Sequence, residues 1–191
     1  MYAIIPTRPS YVEVNLHLRG WCERLSALSL VDTPKLYERA RRLIERGLIR
    51  RGPKGYGIDL EPEEVARALV AAFIPACGGG SIEQVEKLLA ARPFAPSREA
   101  GLVATGEQKT LEGALVELLL GKLGDIEAVS LNGIIPYADI VRRGDAHTYF
   151  VHVPSYRKGA RVALGTTITT EAVISRAALA DLAETLSAGH R

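Results

Sequence analysis

The sequence is poor in cysteine and has no long apolar run. Its two cysteines, Cys22 and Cys77, lie far apart and form neither a disulfide framework nor a CxxC metal or redox motif. No apolar run reaches the ~18 residues that a membrane-spanning helix needs. The first residues also lack a basic segment followed by an apolar stretch, so we expect no signal peptide. These absences predict a cytoplasmic protein without membrane contact.

Motifs of the common enzyme classes are also absent. The sequence has no GxSxG elbow, no Walker loop and no dinucleotide-binding fingerprint. His147 and His152 lie five residues apart on one predicted strand, so they point to opposite faces and do not share a metal. We interpret Asp125, Glu127 and Asp139 as turn or strand-edge residues. We therefore expect no catalytic site, no metal and no cofactor.

Positive charge is concentrated in the first third of the chain. Residues 1–60 carry 11 Lys or Arg against 6 Asp or Glu, whereas residues 61–191 carry 13 against 16. A basic part joined to a mildly acidic part indicates that the first meets a polyanion while the second has another task.

The most informative segment is a basic amphipathic helix predicted over residues 33–46. Asp32 is suited to cap its N-terminus, and Pro34 suits a first turn that lacks intrahelical donors. Apolar residues recur at helical spacing on one face, and Gly47 favours the left-handed conformation that ends a helix. The opposite face and its flanks carry charged residues, namely Lys35, Glu38, Arg39, Arg41, Arg42, Glu45 and Arg46.

A basic, glycine-rich segment over residues 48–60 follows this helix. Residues 48–51 and 58–60 are predicted to be short strands joined by a glycine-rich turn, which together make a β-hairpin, or wing. Residues 61–64 open another predicted helix, with Pro62 near its first turn, and its continuation over residues 65–73 is apolar on nearly every side and is predicted to be buried.

The segment upstream of the basic helix is ambiguous. Residues 11–28 combine a strand-like alternation with a longer helical pattern that includes Trp21 and Leu25. We favour a helix, which Gly20 divides into two pieces, followed by a turn over residues 28–31.

Residues 30–51, LVDTPKLYERARRLIERGLIRR, resemble the recognition helix and wing entry of winged helix-turn-helix transcriptional regulators of bacteria and temperate phages. The resemblance covers about the first third of the chain and implies a DNA-binding domain over residues 1–76. It implies duplex DNA as partner, with the helix over 33–46 in the major groove and the wing over 48–60 on the backbone.

The basic helix suits this role because an α-helix fits the major groove and an arginine fork matches guanine N7 and O6. Phosphate contacts supply affinity, whereas contacts to base edges supply sequence preference. We expect base-proximal positions at Lys35, Glu38, Arg39 and Arg42, and phosphate contacts at Arg50, Arg51 and Lys54. The full predicted DNA-binding set is Thr33, Lys35, Glu38, Arg39, Arg41, Arg42, Arg46, Arg50, Arg51, Lys54 and Tyr56.

The remaining residues predict an α+β domain over 81–191 with a small antiparallel sheet, joined to the first domain by a glycine-rich linker. Helices are predicted over residues 82–91, 111–123 and 176–186, with Ser81, Thr110 and Ser175 at their N-terminal ends. Strands are predicted over residues 126–131, 134–141, 147–153 and 162–170.

Prolines and turn residues divide this second half. Pro93 and Pro96 predict that residues 92–106 are irregular. Asn132 and Gly133 predict a two-residue hairpin turn, and Pro136 places the following strand at a sheet edge or at a bulge. Two loops carry cations that would form a second phosphate-binding patch if they lay together: Arg142, Arg143, Arg157, Lys158 and Arg161.

These patterns predict an α+β protein that is a sequence-specific, DNA-binding transcriptional regulator and not an enzyme. We expect a homodimer, because two modules on neighbouring half-sites bind more tightly than one, and a contact with the transcription machinery. Apolar stripes on the helices of the second half suggest the dimer interface. The alternatives are an accessory DNA-binding protein of replication or recombination, and an adaptor whose basic helix binds an acidic protein.

Overall fold

The computed structural model describes residues 17–29, 31–52, 59–74, 81–97, 101–107, 109–132, 137–144, 146–153, 158–162 and 171–189. Within them the fold is α+β: four helices come first, a fifth lies between the second and third strands of one antiparallel sheet, and a sixth follows the last strand. The helices are α1 (Leu18–Ser29), α2 (Thr33–Glu45), α3 (Pro62–Phe73), α4 (Ile82–Leu89), α5 (Leu111–Leu119) and α6 (Arg176–Gly189). The strands are β1 (Arg92–Ser97), β2 (Gly101–Ala104), β3 (Ile126–Asn132), β4 (Tyr137–Arg142), β5 (Ala146–Val151), β6 (Arg161–Val162) and β7 (Ala172–Ser175).

The first two helices confirm the helical interpretation of the upstream segment. Helix α1 buries Trp21 and Leu25, the residues whose helical spacing favoured it. Gly20 lies inside α1 and does not divide it, because glycine costs a helix only about 1 kcal/mol relative to alanine. The described residues begin at 17, so the predicted start near residue 11 lies outside them.

Helix α2 forms over the predicted range and ends as predicted. The predicted cap by the Asp32 side chain is wrong, because that carboxylate makes no capping hydrogen bond and lies 2.9 Å from Lys35 Nζ. The apolar face of α2 buries Leu36, Ala40 and Leu43. Gly47 adopts a φ of +71°, and the backbone N–H groups of the next two residues donate to the carbonyl of Leu43, at 2.9 Å from Leu48 and 3.4 Å from Ile49. Glycine adopts this conformation without steric cost, so the chain leaves the helix sharply.

The predicted first wing strand over residues 48–51 is wrong, because these residues are not a strand. Their backbone donors are engaged elsewhere: Leu48 and Ile49 close the end of α2, and the Arg50 N–H donates to the carboxylate of Glu64 at 2.7 Å. A strand ladder needs those same donors. In the described part of the segment, Asp59 forms a single antiparallel bridge with His17.

The sheet has the strand order β6-β2-β1-β5-β4-β3-β7, with antiparallel neighbours throughout. One face packs on the helices and contributes Val129, Ile140 and Phe150 to the main core. A smaller cluster around Phe94 and Leu102 covers part of the sheet separately.

The prediction that residues 92–106 are irregular is wrong, because β1 and β2 form an antiparallel hairpin there. Both prolines lie where β1 has one neighbouring strand: Pro93 pairs opposite β5 and Pro96 opposite β2. Phe94, between them, pairs with both neighbours. A proline lacks an N–H, so it fits a position where one side of the strand is unpaired.

The predicted turn between β3 and β4 is wrong. Asn132 pairs with Tyr137, so four residues join β3 to β4 and not the two of an Asn-Gly turn. Of the two alternatives that Pro136 suggested, an edge strand or a bulge, the edge is excluded because β4 lies between β3 and β5; Pro136 itself falls before β4 and outside the described residues. Strand β7 was not predicted. Of the predicted strand over 162–170, only its first residue is described, at the end of β6.

The predicted caps of the second half are confirmed. The side chains of Ser81, Thr110 and Ser175 accept hydrogen bonds from backbone N–H groups in the first turns of α4, α5 and α6, at 3.1, 3.2 and 3.3 Å. Such caps satisfy donors that the helix leaves unpaired.

One hydrophobic core runs through both halves of the chain. It contains Trp21 of α1, Leu43 of α2, Leu115 of α5 and Leu182 of α6. Ion pairs also join the halves: Arg24 Nε lies 2.9 Å from Asp181 Oδ2, and Arg67 Nε lies 2.5 Å from Glu112 Oε1. The stripes on α5 and α6 that suggested a dimer interface are therefore buried within the chain. No described helix combines the length and apolar character of a membrane span.

Candidate nucleic-acid interface

The face of α2 opposite its buried residues carries exposed charged side chains. The exposed fractions are 69% for Lys35, 62% for Glu38, 80% for Arg41 and 53% for Arg42. Arg46, at the end of the helix, is also exposed. The predicted amphipathic pattern therefore places these five side chains together on one accessible surface.

Three of the four cations on this surface contact a nearby acid. Lys35 Nζ lies 2.9 Å from Asp32 Oδ2, Arg41 Nε lies 2.9 Å from Glu45 Oε1, and Arg42 pairs with Glu38. Exposed pairs of this kind contribute little to stability, about 0–1 kcal/mol. The cations can therefore exchange these partners for phosphate or base acceptors at small cost.

A cleft of about 280 Å³ lies along α2 and is lined by Lys35, Glu38, Arg39, Arg42 and Ile82. Ile82 begins α4, so α4 borders the charged surface on one side. The pKa of Glu83, the next residue of α4, is lowered chiefly by its hydrogen bond from Lys87 and more weakly by the charge of Arg46. An acidic residue therefore lies near the C-terminal end of the surface.

Arg39, which the sequence predicted to be base-proximal, lines the same cleft and also contacts α3. Its Nη1 donates to the carbonyl of Ala71 near the end of α3, at 2.9 Å. Burial lowers the pKa of the guanidinium, with a further contribution from the positive charge of Arg42. Arg39 thus links α2 to α3, because a carbonyl near the C-terminal end of a helix attracts a cation.

Arg50, which the sequence predicted to contact phosphate, is hydrogen-bonded to the start of α3. Its Nη2 lies 2.8 Å from Glu64 Oε2 and donates to the carbonyl of Asp59 at 2.9 Å. Glu64 is 4% exposed and also accepts hydrogen bonds from the backbone N–H groups of Arg50 and Glu61. Arg50 therefore fixes the segment after α2 to the start of α3.

The remaining predicted DNA-binding residues are only partly placed. Thr33 is half-buried at the start of α2, and Arg51 is exposed. Lys54 and Tyr56 lie outside the described residues, as does Arg157 of the second basic patch. In that patch, Arg142 Nη1 is 2.8 Å from Asp125 Oδ1, so this cation is already paired.

The sequence interpretation missed a polar cluster on the sheet. Asp139 lies inside β4, 8% exposed, and its Oδ2 is 2.6 Å from His147 Nδ1 on β5, so its assignment to a turn or edge is wrong. The sequence signal that could have revealed this cluster is Asp139 itself, a charged residue within an otherwise apolar strand pattern. Among the described residues, no three His, Cys, Asp or Glu side chains are arranged to hold a metal ion.

Comparisons with known proteins returned no match to a protein-family model, to a curated protein or to a solved structure.

Proposed function

We propose that this chain is a sequence-specific regulator of transcription that binds duplex DNA through α2. The observation that carries the proposal is the exposed charged surface of α2, with Lys35, Arg41, Arg42 and Arg46 on one side of a helix whose other side is buried. A helix held in this way can enter the major groove without losing its packing.

The arrangement of α1 and α2 supports this proposal. Residues 30–32 separate the two helices, which matches the short turn of a helix-turn-helix. Helix α1 contributes Trp21 and Leu25 to the core on which α2 packs, so it supports α2 from behind.

The contact set that we propose differs from the sequence prediction at two arginines. Lys35, Glu38 and Arg42 face the base edges, because they line one cleft along α2 and are exposed. Phosphate contacts come from the flanking cations Arg41, Arg46 and Arg51, which are also exposed. The proposed set omits Arg39 and Arg50, because Arg39 is hydrogen-bonded to Ala71 of α3 and Arg50 to Glu64 of α3.

A salt series tests the interface. Binding of a duplex by the wild-type chain is compared with an Arg41→Ala, Arg46→Ala double variant, which removes two of the proposed phosphate contacts, between about 50 and 200 mM salt. The control is Lys109→Ala, Lys122→Ala, which removes the same charge beside Glu117, on and around α5. We expect the α2 variant to flatten the plot of log affinity against log salt by about 0.9 for each lost phosphate contact.

The control variant shows whether a change in the salt slope is specific to α2 or follows from the loss of any two positive charges. An unchanged slope for the Lys109, Lys122 variant beside a flatter slope for the α2 variant supports the interface. Equal losses in both variants would indicate a general charge effect, and absence of binding by the wild-type chain at low salt would contradict the proposal.

We further propose that the chain binds DNA as a homodimer. A single helix-turn-helix module buries little interface, and two modules on one operator gain from their linkage. Among the described residues, the large apolar side chains that are exposed are Leu120, beyond α5, and Val173 on β7, at 54% and 60%. Light scattering measures the assembly directly, and a monomeric mass at binding concentrations would contradict it.

An accessory role in replication or recombination would use the same surface of α2. Footprinting on the promoter of its own gene and on an origin separates the two roles, because a transcriptional regulator protects the former.

A further inference from the structure

A polar cluster lies on the sheet face that points away from the helices. Asp139 stands between Ala138 and Ile140 on β4, and both of these neighbours belong to the core under the helices. Because successive side chains of a strand alternate between faces, Asp139 projects from the opposite face. In register beside it lie Ser130 on β3 and Tyr149 on β5.

Asp139 and His147 form a hydrogen-bonded pair whose histidine is partly accessible. Oδ2 of Asp139 lies 2.6 Å from Nδ1 of His147, and 33% of the histidine side chain is exposed. An ionised carboxylate can only accept, so Nδ1 carries the proton. The imidazole also stacks on Tyr149, with ring centroids 5.7 Å apart and an interplanar angle of 11°. The pair therefore presents a fixed aromatic surface.

The second oxygen of Asp139 is buried without a hydrogen-bond donor among the described residues. Asp139 is 8% exposed, and its Oδ1 has no partner there. A buried carboxylate oxygen without a donor is costly, and buried polar groups are nearly always paired. Burial accordingly raises the pKa of Asp139, opposed by the hydrogen bond and charge of His147 and aided by the charge of Glu171. Oδ1 therefore needs a donor.

The neighbouring groups specify the chemistry of that donor. Glu171 accepts hydrogen bonds from Ser130 Oγ at 3.0 Å and from the Tyr137 hydroxyl, so the hydroxyl donors nearby are directed to another carboxylate. The carboxylates in these contacts are those of Asp139 and Glu171, so the cluster is rich in acceptors. Such a site favours a ligand that carries both N–H donors and positive charge.

We propose that this cluster binds a small organic cation with an ammonium or amidinium group. The cationic group donates to Asp139 Oδ1 and is attracted by Glu171. The stacked rings of His147 and Tyr149 contact the flat part of the ligand, because aromatic faces attract cations. The site lies on the sheet and not on α2, so this proposal does not rest on DNA binding.

Histidine NMR signals of the full chain test this proposal with benzamidine as the probe. The chain has four histidines, so few signals need assignment, and the His147→Gln variant identifies the signal of His147. Benzoate and benzyl alcohol, similar in shape but anionic and neutral, serve as ligand controls. His17 is an internal control, because its Nδ1 lies 3.3 Å from Asp59 Oδ1 in a more exposed pair.

We expect benzamidine to shift the His147 signal in a saturable manner while the His17 signal stays in place, with no comparable effect of the two controls. Asp139→Asn should weaken this binding by about tenfold or more, because a charge-assisted hydrogen bond is lost. Asp59→Asn should leave it unchanged.

Glu171→Gln provides a second variant, since Glu171 is exposed and its substitution does not disturb the core. It should also weaken benzamidine binding at His147. The proposal is overturned if His147 does not respond to benzamidine, if benzoate or benzyl alcohol shifts it equally, or if His17 responds in parallel. It is also overturned if the Glu171 variant binds benzamidine as tightly as the wild type.

Discussion

The buried carboxylate of Glu64 joins the segment that follows α2 to α3, and its removal should destabilise the N-terminal helices. The Arg50 and Glu61 backbone N–H groups donate to it at 2.7 and 2.9 Å, and Arg50 Nε and Nη2 donate at 3.0 and 2.8 Å. The exposed guanidinium contributes little. Two backbone hydrogen bonds to a charged acceptor contribute about 1.5 kcal/mol each at the lower end of the usual range. Glu64→Ala should therefore lower the free energy of unfolding by about 3 kcal/mol.

The pH dependence separates the charge of Glu64 from its shape. Burial opposes ionisation, but hydrogen bonds from Arg50 and from the Glu61 backbone outweigh it and lower the pKa of Glu64. A pKa that is lower in the folded state contributes stability above the unfolded pKa of about 4.3, and this stability is lost as the pH falls through the folded pKa. The destabilisation by Glu64→Gln should therefore be largest at neutral pH and diminish below about pH 4.

Urea denaturation at neutral pH and below about pH 4 measures both effects. The matched control is Glu63→Gln, because Glu63 is the adjacent, exposed residue of the same helical turn. Equal stability of the Glu64→Gln and Glu63→Gln variants at neutral pH would refute the reasoning. If the free energy of unfolding of the Glu64→Gln variant remained equally reduced at low pH, the electrostatic part of the reasoning would be refuted.

Two further variants test the roles of buried groups in the helices. Arg39→Ala should lower the free energy of unfolding by about 1–2 kcal/mol, since the hydrogen bond to Ala71 is lost; calorimetry measures this loss. The salt slope of DNA binding should not change, and a flatter slope would return Arg39 to the interface. Burial raises the pKa of the Cys22 thiol to about 11, so in a Cys77→Ser background an aromatic disulfide reagent at mildly alkaline pH should label no thiol until the chain is unfolded. Rapid labelling of the folded chain would contradict the burial of Cys22.

The helices were predictable because their signals are local. Pro34 and Gly47 mark the two ends of α2, and Ser81, Thr110 and Ser175 cap three further helices, each by a contact within a few residues. Such a contact depends on sequence spacing alone, so it can be inferred from the sequence.

The hairpin of β1 and β2 was not predictable in the same way, because it depends on long-range pairing. Pro93 and Pro96 act as strand breakers in a local interpretation. They are accommodated because β5 and β2 each pair with a different part of β1. The position at which β5 stops pairing with β1 is set by residues more than fifty positions away in the sequence, such as Phe150.

The same distinction applies to the candidate sites. The pattern of α2 predicted its exposed cations, because amphipathic spacing decides which residues face outward. It did not predict that Arg39 reaches the carbonyl of Ala71 or that Arg50 pairs with Glu64, since these partners are set by the packing of α3. The pair of Asp139 and His147 depends on the register of β4 against β5, which the sequence alone left open.

Selection of preferred sequences from a randomised duplex pool tests the DNA-binding proposal most directly. The wild-type chain and the Arg42→Ala variant are compared at the same salt concentration. We expect the wild type to enrich a motif that contains guanine and the variant to lose the preference at a guanine position by about tenfold, because an arginine fork contributes about 1–3 kcal/mol of discrimination. Enrichment of no motif by the wild type, or of the same motif with equal discrimination by the variant, would contradict the assignment of α2 as the helix that reads the DNA sequence.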